Sequence, residues 1–232
     1  MPLIESIEIE LDVEKIAAAM RMGSPDARLA KQLEDELPAA MELFRPAVLY
    51  EWLEVEGVED HEVVLRADGD GGEKRLRLGP MAKLMSKAGR ALVGAATVGA
   101  RLDEELKAVK ESGDFLRSYF IDSLGVAALA ETGRMLCLVA EKEAASRSWG
   151  VGRRLAPGSL RGWEMEGQED LCRLLPLEQM GLTLNDSCML VPHKSASCLI
   201  GIGPGYEDSR TRTVCEFCPR SAKCWRRRDY AS

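Results

Sequence analysis

From Phe115 to about Ala145 the chain reads "FLRSYFIDSLGVAALAETGRMLCLVAEKEAA", a stretch rich in Ala, Leu and Glu that opens after Gly113 and Asp114. It is the longest helical segment the sequence predicts. The segments around it do not follow the regular alternation of a βαβ protein. The expected class is therefore α+β, a single domain in which a mixed or antiparallel twisted sheet packs against helices.

Ahead of that helix, "IESIEIEL" alternates apolar and polar residues and predicts a first strand. Asp12 suits the N-cap of a helix "VEKIAAAMRMG" that Gly23 ends, and Ser24-Pro25 opens a second helix to about Phe44 despite Pro38 within it. "AVLYEWLEVEG" and "HEVVLRA" predict strands, with "DGDGG" as the turn before "KRLRL". "RALVGAATVGARLDEELKAVKES" begins as a small-residue apolar strand and becomes helical near Leu102. Beyond the long helix, "SWGVGRRLAPGSLRGW" predicts a loop and "EGQEDLCRLLPLEQMG" a helix. "CMLVP" and "SCLIGIG" predict two short strands joined around His193-Lys194-Ser195. The simplest division is one body over residues 1–204 and a cysteine-bearing tail over 205–232.

A chain of 232 residues can bury a substantial core. Its composition, 46% apolar and 30% charged, is ordinary for a soluble globular protein. The net charge of -7 argues against a nucleic-acid partner, and Arg226-Arg227-Arg228 reads as a solvated basic run. No stretch reaches the roughly 18 apolar residues of a membrane span. "MPLIESIEIELD" lacks the basic and apolar regions of a signal peptide. The seven cysteines, an odd number, fit reduced thiols in a cytoplasmic chain better than a disulfide framework. Metal binding or core packing must then account for them.

Three of them gather in "VCEFCPRSAKCW" as C-x2-C-x5-C: Cys215, Cys218 and Cys224. Thiolates spaced in this way can grip one ion, and soft sulfur ligands select zinc or an iron–sulfur cluster over hard cations. Both identities stay open, as does the absence of any metal. A fourth ligand is missing from the spacing. Cys198 is the first candidate for it and Cys188 the second, with His193 between them. Cys137 and Cys172 lie on predicted helices and suit core packing. The spacing is similar to the last three ligands of the iron–sulfur loop in endonuclease-III-class DNA glycosylases. That likeness is local: Asp208 stands where the loop has a further cysteine, and no helix-hairpin-helix body is legible.

"RRLAPGSLRGW" combines a Pro157-Gly158 turn, whose amides can be exposed, with Arg153 and Arg154, either of which can fork onto a carboxylate or phosphate. The segment resembles the R-x-A-P-G-Y motif of the activation domain of cobalamin-dependent methionine synthase. The resemblance runs from about residue 88 to 203. "RALVGAATVGARLDEEL" is similar to that family's A-T-x-G segment and acidic helix, and "LRSYFIDSLGVAALAE" to its long helix. "QEDLCRLLPLEQMGLTLNDSCMLVPHKSASCLIGIG" resembles its closing pattern, the most specific part. The likeness is greatest to short stand-alone members.

The resemblance implies that Arg154, Ala156, Pro157 and Gly158 hold S-adenosylmethionine, the arginine meeting the methionyl carboxylate, and that Glu131 matches a helix glutamate. The family's tyrosine after Pro-Gly is replaced by Ser159, and one extra residue precedes Trp163, so an aromatic contact beside the sulfonium is lost. The implied task is reductive activation of a corrinoid methyltransferase, by docking on its cobalamin-binding module with S-adenosylmethionine as methyl donor. The cysteine tail lies outside the family pattern and would add an iron–sulfur electron relay. The alternative is a non-redox corrinoid-protein binding module stapled by a structural zinc. An unrelated α+β protein with a coincidental loop is the third reading.

Overall fold

A computed structural model describes residues 1–5, 7–20, 27–67 and 72–223. Strand β1 (Leu3–Glu5) is shorter than the alternating sequence predicts. It pairs with the start of β2 (Ala47–Glu59), Leu3 opposite Leu49 and Glu5 opposite Ala47, and at Ala47 its partner runs out. Residues 7–12 carry no regular structure. Asp12 then caps α1 (Val13–Ala19) as expected, its carboxylate accepting from Lys15 N at 3.0 Å. Helix α2 (Ala27–Leu43) contains Pro38. Gly23, Ser24-Pro25 and most of the "DGDGG" turn lie outside the described residues.

Strands β3 (Glu62–Ala67), β4 (Glu73–Arg77) and β5 (Arg90–Thr97) follow, then α3 (Arg101–Glu111) and α4 (Phe115–Ser146). Asp114 caps α4 by accepting from Arg117 N at 3.0 Å. Strand β6 (Gly150–Leu155), α5 (Gly167–Cys172), β7 (Thr183–Leu184), β8 (Leu190–Val191) and β9 (Ser195–Gly203) complete the elements. The main sheet runs β4-β3-β2-β5-β9-β6, with β1 beside β2, and every pairing is antiparallel. The class is α+β.

Strict alternation divides the core between the two faces of the sheet. Val48, Leu92, Ala96, Cys198, Ile200 and Ile202 pack on Leu136 and Ala140 of α4. Leu49, Val93 and Leu199 point the other way, towards Trp163, Leu171 and Val214. Helices α1 to α3 close a third cluster around Phe120, Leu124 and Ala128. By length and composition alone, α4 could cross a membrane: an 18-residue window has a mean hydropathy of 1.4, against the expectation that no such stretch exists. Its buried apolar residues pack on the sheet and on α1, α2 and α3, while Phe115, Leu116 and Leu138 stay exposed.

Three expectations need correcting. The glycine-rich "GVGRRL" is a strand, because its glycines make room for Tyr206 rather than for a turn. A Cβ at Gly150 would collide with the Tyr206 backbone and one at Gly152 would lie 2.9 Å from its ring, while Tyr206 donates to Leu84 O at 2.7 Å. The predicted helix "EGQEDLCRLLPLEQMG" is α-helical only to Cys172, and a 3-10 turn at Leu177–Met180 follows Pro176. Finally, β8 does not join the main sheet; it pairs with β7 in a separate ribbon.

Candidate functional site

The motif "RRLAPG" leaves the sheet at the end of β6, and a bulge decides how it does so. Val151 pairs with Ile202 but Arg154 with Ile200, so three steps on β6 oppose two on β9. The extra residue puts Val151 and Arg154 on the α4 face together and sends Arg153 to the opposite face.

Arg153 is consumed by the tail. It donates to Thr213 O at 2.8 Å, pairs with Glu216, and lies over the Phe217 ring with 5.2 Å to the centroid. Arg154 is half-buried, with its guanidinium against the backbone of Gly133 on α4 and beside the thiols of Cys137 and Cys198. Among the described residues no carboxylate pairs with it. Burial pushes the Cys137 thiol up to about 11 and raises that of Cys198, and the guanidinium opposes both shifts. Both shifts favour the neutral thiols beside the guanidinium.

Ala156, Pro157 and Gly158 form the turn that follows. Gly158 has φ 69°, which suits glycine, and its N–H donates to Trp163 O at 2.8 Å. Ser159 N–H donates to Ala156 O at 3.2 Å, and Ser159 is half-buried. Trp163 anchors the loop, 1% exposed in the core opposite α4. Glu131 sits two residues before Gly133 on α4 but pairs with Arg134 at 3.0 Å, so the structure does not bring it to Arg154.

The tail lies along the outer edge of β6. Val151 N–H donates to Asp208 O at 2.8 Å and Arg154 N–H to Arg212 O at 2.9 Å, and further on Arg161 N–H donates to Phe217 O at 3.2 Å. Cys215 and Cys218 are half-buried free thiols around the 3-10 turn Cys215–Phe217. Cys224 lies outside the described residues. Cys198 does not fit the fourth-ligand role. It is fully buried on the α4 face, whereas Val214, next to Cys215, packs in the cluster on the opposite face. Cys188 does not join them either: among the described residues, no three of His, Cys, Asp and Glu converge on one ion position. His193 instead pairs with Asp103 at 2.9 Å. Cys172 is core, as expected, with its thiol pushed up to about 12 by burial.

Other polar residues of the closing pattern are spent on cross-links. Lys194 Nζ donates to Asp122 at 2.7 Å, Ser195 Oγ to Thr97 Oγ1 at 2.8 Å, and Ser197 Oγ to Gln168 Oε1 at 2.9 Å. They tie β9 to α4, β5 and α5.

Among solved structures, the crystal structure of the MetH reactivation domain bound to AdoHcy is similar over 89% of this chain and 80% of that one, with a TM-score of 0.64 and 15% identity. The fold is that of the MetH reactivation domain. No protein-family model and no curated protein matches the chain. Within this reactivation-domain fold, the sequence left Gly133 unremarked. The one local signal for it was a glycine inside an Ala- and Leu-rich helix, where alanine is about 1 kcal/mol better.

Proposed function

We propose that the protein binds S-adenosylmethionine at the turn following β6 and takes part in the reductive activation of a cobalamin-dependent methyltransferase such as methionine synthase, docking on its cobalamin module. The observation that carries this reading is Arg154: a half-buried guanidinium with no carboxylate partner among the described residues, on the strand that leads into the Pro157-Gly158 turn. A half-buried guanidinium without a carboxylate partner is free to take a ligand carboxylate in a bidentate contact. The likeness to a domain bound to AdoHcy, the demethylated product of S-adenosylmethionine, supports the same ligand class.

In this reading Arg154 orients the amino-acid end of the ligand, and backbone groups of Ala156 to Gly158 hold its body. Glu131 is a weaker member of the same set, since Arg134 already engages it. The methyl group is supplied by S-adenosylmethionine and accepted by the partner's reduced cobalt. The chain's contribution is docking, orientation and exclusion of competing reactions. Cys215, Cys218 and Cys224 would hold an iron–sulfur cluster that relays the electron from a separate donor.

The packing of the tail favours a second reading. Arg153, Val214 and Phe217 already pin the segment that carries Cys215, which suits a structural zinc staple in a non-redox corrinoid-protein binding module.

Two measurements test the proposal. Calorimetric titration with S-adenosylmethionine should give a saturable heat; its absence at millimolar ligand overturns the ligand assignment. A cobalamin-loaded carrier protein should bind more tightly as cobalt(II) than as the methylated form. Equal affinity supports the second reading.

A further inference from the structure

Gly133 lies in the middle of α4, in a helical conformation that any residue adopts, so its backbone does not require glycine. Glycine there weakens the helix relative to alanine. Something other than local structure must explain it. A Cβ at Gly133 would lie 2.9 Å from both Nη1 and Nη2 of Arg154, closer than real contacts allow, and 3.2 Å from Cζ. The guanidinium therefore rests directly on the helix backbone, at a depth that a single methyl group would deny it.

The rest of the seat is built around that contact. Cys137, one turn along α4, turns its thiol back towards Gly133 O at 3.9 Å. Cys198 on β9 is fully buried beside the guanidinium. At the other end of the residue, Arg154 N–H donates to Arg212 O at 2.9 Å, which fixes where the side chain starts. A planar fork that starts from a fixed backbone and lies against the helix is preorganised for a bidentate acceptor, and small displacements of such a fork lose both hydrogen bonds together.

We infer that Gly133 is a positioning residue for ligand recognition: it seats the Arg154 guanidinium against α4, at the depth where its fork meets the carboxylate of an S-adenosyl amino acid. The inference rests on the reading of Arg154 as the carboxylate clamp. Its own content is that a glycine on a distant helix sets the clamp's position.

The test is Gly133→Ala, titrated with S-adenosylhomocysteine, alone and in an Arg154→Ala background, with urea unfolding and the Arg154 Nε–Hε resonance as independent readouts. Gly133→Ala should weaken binding by about tenfold, the loss of roughly one charge-assisted hydrogen bond. It should leave stability equal or higher, move the Arg154 resonance, and have no further effect once Arg154 is alanine. A merely structural glycine would lower stability and would weaken binding equally in both backgrounds, overturning the inference. Wild-type-like binding and an unmoved resonance in Gly133→Ala would also overturn it, while leaving the ligand assignment standing. If the wild type binds no S-adenosylhomocysteine, the clamp reading fails and the role given to Gly133 falls with it. A moved resonance would then show a seat that serves no such ligand.

Discussion

Arg153 and Arg154 are neighbours in sequence and stand on opposite faces of the sheet, one against the Phe217 ring and the other against Gly133. Alternation puts the neighbours on opposite faces, and the bulge between Val151 and Arg154 decides which arginine faces α4. The two arginines should therefore fail in different ways.

Arg153→Ala removes an ion pair, a hydrogen bond to Thr213 O and a ring contact, so it should destabilise the protein by about 1–2 kcal/mol in urea unfolding. Protection of the Arg161 amide from hydrogen exchange, which depends on Phe217 O, should fall with it. Unchanged protection would mean that the tail is held by other contacts.

Arg154→Ala should instead leave stability nearly unchanged and weaken S-adenosylmethionine binding by about 1.5–3 kcal/mol, the value of a charge-assisted hydrogen bond. Calorimetry separates the two effects. Ser159→Tyr, which restores an aromatic ring after Pro157-Gly158, should leave binding unchanged or tighten it.

Trp163 is 1% exposed and holds the far end of the loop in the core. Trp163→Ala should cost about 3–5 kcal/mol in denaturant unfolding. A loss below about 1 kcal/mol would contradict the anchoring role assigned to this side chain.

Cys215→Ser, Cys218→Ser and Cys224→Ser should each abolish most of the metal carried by anaerobically prepared protein, because the thiolates act as one ligand set. Cys198→Ser and Cys137→Ser should leave metal content intact, since both thiols lie on the α4 face. Elemental analysis then separates iron with matching sulfide from stoichiometric zinc. Full retention by all three tail variants would remove the metal from either reading.

Burial raises the Cys137 thiol from 9.0 to about 11 and the Cys172 thiol to about 12. Above about pH 9 the unfolded chain releases these protons while the folded chain keeps them, so stability is fully present below that pH and is lost as pH rises towards 11. The decline from Cys137 alone is on the order of 2 kcal/mol. Cys137→Ala should make the alkaline arm of a stability–pH profile shallower, leaving the part that Cys172 contributes, even if it lowers the plateau.

What the sequence determined by itself was local. Asp12 and Asp114 cap their helices because a side-chain carboxylate reaches the amide three residues on whatever else the chain does. The small-residue run "RALVGAAT" is a strand buried on both faces, and Pro157-Gly158 is a turn. The closing pattern around Lys194 and Ser195 was enough to suggest the fold. Tertiary structure decided the rest. A glycine-rich segment became β6 because Tyr206, far along the chain, fills the space the glycines leave. Which arginine faces α4 depends on a bulge, and a bulge exists only against a partner strand. Cys198 looked available to the tail thiols until the pairing of β9 turned it to the other face of the sheet. In a pleated strand, one step of register moves a side chain from one face to the other, and register is set by the neighbouring strand rather than by the residue itself.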